Sequence, residues 1–132
     1  MNLRTQKNLM SAMQAEAFAY AKYMLFAEHA RKNGQLELGD LFEKTAQVER
    51  FEHLAEEAKL AGLVGSDAEN LINAIEGESY EVETMYKEFA EQAAADGDQA
   101  VASRFAEIRG DEMGHRDAYK AELVKFTQEI KR

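Results

Sequence analysis

No proline interrupts this chain, and between a few glycines the residues are mostly strong helix formers: Ala, Glu, Lys, Leu, Met and Gln. No stretch alternates apolar and polar residues on a period of two, so strands have no signal to build on. An all-α fold follows. "KNGQ" at 32–35 and "ADGD" at 95–98 each place a glycine where a helix ends in a left-handed cap. Asp98 is then positioned to cap the next helix. "GLVGSDAE" at 62–69 has two glycines, then Ser66 three residues before Glu69, the spacing of a capping box. Four helices are predicted, near 3–33, 36–61, 68–95 and 98–130. They are about 40–50 Å long at about 1.5 Å per residue. A chain of 132 residues accommodates them as one domain, 1–132, an antiparallel four-helix bundle.

Composition narrows the function. Acidic residues outnumber basic ones 25 to 16, for a net charge of -9. Phosphate backbones repel such a chain, so nucleic acid is not an expected partner. The absence of cysteine excludes disulfides, iron–sulfur clusters and thiolate zinc sites, and fits a reducing, cytoplasmic setting. No apolar run approaches a membrane span, and no signal peptide opens the chain. A soluble, unprocessed protein is expected, with no membrane partner.

The apolar residues form stripes at helical spacing. Leu38, Leu41, Phe42, Thr45 and Ala46 lead to Glu49; Val101, Phe105 and Ile108 lead to Glu112; Ile75, Tyr86, Phe89 and Ala93 accompany Glu78. Bundle core accounts for the apolar members. It does not account for glutamates on the same stripes. Each helix supplies one near its middle: Glu16, Glu49, Glu78 and Glu112. Helix 3 adds Glu81 and helix 4 adds His115, each three residues further on. Such neighbours share a helix face. Several carboxylates meeting in a dry core repel unless protonated or paired, and no inward stripe of Lys or Arg is available. Metal ions would pair them. A Glu from each of two helices with Glu-x-x-His from the others is the di-iron carboxylate arrangement. Carboxylate and imidazole donors suit iron, with manganese or a mixed pair as alternatives. His29, near the end of helix 1, is expected on the surface.

The chain also repeats. "FAEHARKNG" at 26–34 matches "FAEQAAADG" at 89–97 at an offset of 63, which also pairs Phe42 with Phe105 and Glu49 with Glu112. Upstream the offset slips, pairing Glu16 with Glu78 at 62. A helical hairpin therefore occurs twice, with a one-residue slip inside helix 1 or helix 3. A π-bulge absorbs such a slip within a continuous helix.

With those residues in place, the sequence resembles the rubrerythrins of the ferritin-like superfamily over nearly its whole length. "NLMSAMQAEAFAYAKYMLFAEHARKNG" is similar to the family's first helix, whose "AFAGES" segment carries a ligand glutamate with a tyrosine seven residues later; here these are Glu16 and Tyr23. "LFEKTAQVE" resembles the second helix as far as its ligand, Glu49. "AIEGESYEVETMYKEFA" resembles the "AIAGE" opening, the second glutamate and the "MYPEFA" tail, which gives Glu78, Glu81 and Tyr86. "DEMGH" gives Glu112 and His115. The resemblance implies a ferritin-like four-helix bundle with two iron ions that reduces hydrogen peroxide to water. It implies that Tyr23 and Tyr86 hydrogen-bond ligand carboxylates. It further implies that one iron moves between a carboxylate such as Glu81 and a histidine. Tyr20, Tyr80 and Tyr119 are read as core.

The sequence departs from the family in three ways. The cysteine-bearing rubredoxin domain does not follow before Arg132, so electrons are expected from a separate donor such as a rubredoxin. Lys87 stands where the family often has proline, so the associated kink is not expected. "ERFEH" at 49–53 has one residue more than Glu-x-x-His. Internal repetition sets Glu52 opposite His115; the family register instead aligns downstream residues through His53, with a π-bulge turning Glu52 away. The family register favours His53 as the ligand, with Glu52 as its rival. A ferroxidase or iron-handling protein using oxygen makes nearly the same demands on the site, and a purely structural bundle would leave the glutamates unimportant. The short connector at 62–69 and the habits of the family point to a homodimer, with exchanged hairpins as one form.

Overall fold

The computed structural model describes residues 1–130, with side chains as far as 128. They form helices joined by short turns, with no strand among the described residues. The chain divides into two compact units, Met1–Val64 and a second that begins at Gly65. Each is a helical hairpin.

In the first hairpin, α1 spans Leu3–Lys32. The Asn2 side chain caps it, accepting from the Arg4 amide at 2.8 Å. Gly34, with φ of 76°, carries the left-handed turn that the sequence predicts. The second helix, α2, has three parts: α-helical Leu36–Val48, π-helical Glu49–Leu54 and α-helical Ala55–Ala61. The expected extra residue in "ERFEH" is thus absorbed within the helix. Gly39 is where the two helices approach closely. A Cβ there would stand 2.7 Å from Arg31 Cγ and 3.3 Å from the Ala27 carbonyl. Arg31 also pairs with Asp40 and Glu43 across the turn. Met13, Ala27, Ala30 and Ala46 are buried, and Tyr23, Phe26 and Phe42 pack with ring centroids 5.4–6.2 Å apart.

The second hairpin opens on the predicted capping box. Ser66 Oγ accepts from the Glu69 amide at 3.2 Å, and Glu69 accepts from the Ser66 amide at 2.8 Å. Helix α3 joins Asp67–Tyr80, π-helical Glu81–Met85 and Tyr86–Ala95. Helix α4 spans Gln99–Ile130. The slip between the repeats therefore lies in helix 3, not helix 1. Its π-helical turn ends just before Lys87, so the helix is irregular here without the family's proline. Asp98 caps α4 through its backbone alone, its carbonyl accepting from the Ala102 amide at 2.9 Å. The neighbouring Gln99 side chain turns back to the Ala94 carbonyl. Val82 and Ala102 are buried. Tyr86 and Phe89 both pack on Phe105, at 5.9 and 5.8 Å. This trio repeats Tyr23, Phe26 and Phe42 at the offset of 63. Leu38, Leu41, Phe89 and Val101 of the predicted stripes are exposed, not core; within a hairpin, the partner helix covers only one face.

Candidate metal centre

In the first hairpin, Glu16 of α1 and Glu49 and His53 of α2 converge. His53 Nδ1 lies 3.5 Å from Glu16 Oε2 and 3.6 Å from Glu49 Oε2. The second hairpin builds a counterpart from Glu78 of α3 and Glu112 and His115 of α4. There His115 Nδ1 lies 3.7 Å from Glu78 Oε1 and 3.2 Å from Glu112 Oε2. The π-helical turn of α2 explains the likeness. His53 is four residues after Glu49 and His115 only three after Glu112, yet each imidazole faces one carboxylate of its own helix and one of the other helix in its hairpin. A one-residue insertion in a regular α-helix would turn everything beyond it by about 100°; the wider π turn takes up that rotation.

The carboxylates crowd one another, and their proton affinities shift accordingly. Glu16 is raised above the ordinary carboxylate range, chiefly by sharing a proton with Glu49 and then by burial. Glu78 is pushed up to about 7 by its hydrogen bond to Glu112, by burial and by the charges of Glu112 and Glu81. Glu112, the acceptor of that bond, moves down. Glu81 is raised by burial and by the nearby Glu112. Burial opposes protonation of His53, but Glu16 and Glu49 outweigh it and hold the imidazole above its usual range. Glu16 Oε2 and Glu78 Oε2 are buried and make no hydrogen bond. Each is a buried acceptor without a hydrogen-bond donor, an arrangement a cation would relieve.

Glu81 stands beside Glu112 but outside the tight group of three. Glu52 is exposed and belongs to neither group. Tyr23 lies in the aromatic cluster of its hairpin. Tyr86 is near the centre, its phenol pushed up by burial and by the charges of Glu81 and Glu112. Among the described residues, neither hydroxyl hydrogen-bonds a carboxylate. His29 is exposed, as expected, and contacts Asn33 at 2.9 Å. Two relevant residues escape a sequence reading. Glu57 has a buried, unpartnered oxygen; its signal was the four-residue spacing after Glu49 and His53. Arg109 donates to the Val82 carbonyl, a contact between distant residues that no local pattern announces.

Helices alone, with carboxylate–histidine groups on facing pairs, define the ferritin-like class of metalloproteins. The Rubrerythrin family profile matches residues 7–123, and the chain belongs to the rubrerythrin family. Rubrerythrins are di-iron proteins, and the two groups found here are suited to such a pair of ions. The chain is 35% identical to a rubrerythrin of Porphyromonas gingivalis, covering 92% of this chain and 66% of that one. It is 31% identical to a rubrerythrin of Nitratidesulfovibrio vulgaris, covering 97% and 71%. A solved structure described as fully reduced, all-ferrous nigerythrin is 30% identical, covers 93% of this chain and 67% of that chain, and has a TM-score of 0.49. The chain thus spans about two thirds of the length of these relatives. No helix among the described residues is long and apolar enough to cross a membrane.

Proposed function

We propose that this chain is a non-haem di-iron oxidoreductase that reduces hydrogen peroxide to water with electrons from a separate donor protein. Glu16, Glu49, His53, Glu78, Glu81, Glu112 and His115 are the ligands, in one ferritin-like domain that works as a homodimer. Glu52 is not a ligand. The observation that carries the reading is the matched pair of buried, unpartnered carboxylate oxygens, on Glu16 and Glu78, each in a group with a second glutamate and a histidine.

When bound, two ferrous ions supply the two electrons that turn one peroxide and two protons into two waters. The chain's own residues do the rest. Glu16, Glu49, Glu78 and Glu112 provide negative charge that offsets the cations. The proton on the Glu78 carboxyl, held up to about pH 7, must leave as metal enters, since ligands bind deprotonated. Glu81 has room to approach or withdraw because it stands beside the group and not within it. Tyr86 is close enough to Glu81 and Glu112 to feel their charges; with metal bound, its phenol would donate to a ligand carboxylate and orient it.

The test is to purify the protein anaerobically, count iron per chain, and mix the ferrous form with peroxide or oxygen in stopped flow. Two irons oxidised faster by peroxide is the expected result. Faster oxidation by oxygen, with many irons taken up per chain, would instead make it a ferroxidase. No bound metal under any loading condition would sink both readings. A monomer by light scattering would remove the dimer from the proposal.

A further inference from the structure

We infer that Arg109 is a positioning residue: its guanidinium holds the π-helical turn of α3 and so fixes where Glu81 stands relative to Glu78 and Glu112. The inference rests on the metal-centre reading for its purpose, but not for its geometry. In an α-helix the Val82 carbonyl would accept from the Tyr86 amide, four residues on. Here the Tyr86 amide bonds the Glu81 carbonyl instead. Val82 is 2% exposed, so water cannot readily replace the lost partner. A buried carbonyl without one is costly. Arg109 Nε, from α4, donates to that carbonyl at 2.6 Å, a charge-assisted bond. The turn therefore has two competing hydrogen-bond patterns. Arg109 rewards the π pattern, in which Val82 gives up its helical partner.

Arg109 sits one helical turn before Glu112, so the same stretch of α4 carries a metal-facing carboxylate and the clamp. The first hairpin has no such device. Ala46, at the offset of 63 from Arg109, is wholly buried, and the π turn there lies in the same helix as Ala46, not across from it. Arg116 also reaches the α3 turn, but only at 3.8 Å to a Glu83 side chain that is 70% exposed. It serves as the control.

The experiment compares Arg109→Ala, Arg109→Gln, Arg109→Lys and Arg116→Ala by amide hydrogen exchange, in metal-free and iron-loaded protein. Arg109→Ala is expected to speed exchange over residues 82–87 by about tenfold and to leave 49–54 unchanged. Arg109→Lys should recover most of the protection, and Arg116→Ala should match wild type. In the iron-loaded Arg109→Ala protein, Mössbauer spectra should change for one of the two iron environments. Exchange over 82–87 within about twofold of wild type in both Arg109→Ala and Arg109→Gln would overturn the inference. If Arg109→Ala does not fold, Gln and Lys decide it, Lys being expected nearer wild type. A wild-type protein that binds no iron would end the metal reading, while exchange in the metal-free protein still decides the clamp.

Discussion

Replacing Glu78 by glutamine isolates the effect of one proton on stability. In the metal-free protein the Glu78 carboxyl is raised from an ordinary value of 4.5 to about 7. The folded chain therefore keeps a proton that the unfolded chain has lost between those two values. Stability must fall as pH rises through that window and be insensitive to this group on either side. The full shift, at about 1.4 kcal/mol per unit, would amount to about 3 kcal/mol. Two facts reduce it. The Glu78 side chain keeps 18% of its surface in solvent, and Glu112 moves in the opposite direction because the two titrate as a pair. About 1 kcal/mol remains after screening, or about 4 °C in Tm for a chain of this size. Glutamine has no proton to lose and still donates its amide to Glu112. Thermal melts of chelator-treated protein at constant ionic strength, from about pH 5 to about pH 7.5, provide the assay. Glu16 and Glu81 are raised too, so both proteins should lose stability along the series. Wild type should lose about 4 °C more than Glu78→Gln. Parallel curves would show that Glu78 does not hold the proton and that the shared-proton description of the centre is wrong.

Iron should reverse this weakness: ferrous ion at about 100 times its dissociation constant should stabilise by about 2.7 kcal/mol, seen as a rise in Tm that a chelator cancels. His53→Ala should lower iron bound per chain, measured by metal analysis, whereas Glu52→Ala should leave it unchanged; the opposite ranking would make Glu52 the ligand. Ser66→Ala should cost about 1 kcal/mol in denaturant melts. The capping bonds also depress Glu69, so the stability they lend is present above the ordinary glutamate range and is lost as pH falls through the lowered value; Ser66→Ala should flatten that acid limb. Gly110→Ala, with open space around the new methyl group, should gain up to about 1 kcal/mol of helix propensity. Gly39→Ala should lose stability instead, because Arg31 Cγ, 2.7 Å away, belongs to a side chain fixed by its ion pairs.

The helix ends were legible because their chemistry is local. Gly34, Gly62 and Gly97 have positive φ, and Ser66 with Glu69 forms its capping box. The repeat was also legible, since matching residues keep their spacing whatever the fold. Counting puts the longer copy in helix 3, since Phe26 follows Glu16 by 10 residues and Phe89 follows Glu78 by 11, but it does not say how the helix takes up the extra residue. The backbone hydrogen bonds do, with a π turn at Glu81–Met85. The group around Glu16, Glu49 and His53 could be assembled from spacing, given the π turn at Glu49–Leu54. Arg109 could not, because its partner is a main-chain oxygen 27 residues away whose need for a donor exists only once the π turn has formed.

The two π turns also bear on how the length of a helix can be edited. Inserted residues are usually accommodated in loops, where the chain has slack. Here each hairpin stores one surplus residue in mid-helix, beside its carboxylates, in α2 of one and α3 of the other. Removing Glu52 would leave Glu-x-x-His at Glu49, the spacing that α4 already uses without interruption. The shortened α2 could then close as an ordinary α-helix while the residues on both sides keep their facing. A π turn of this kind acts as an expansion joint: the helix can take up or give back one residue without moving the structure at either end.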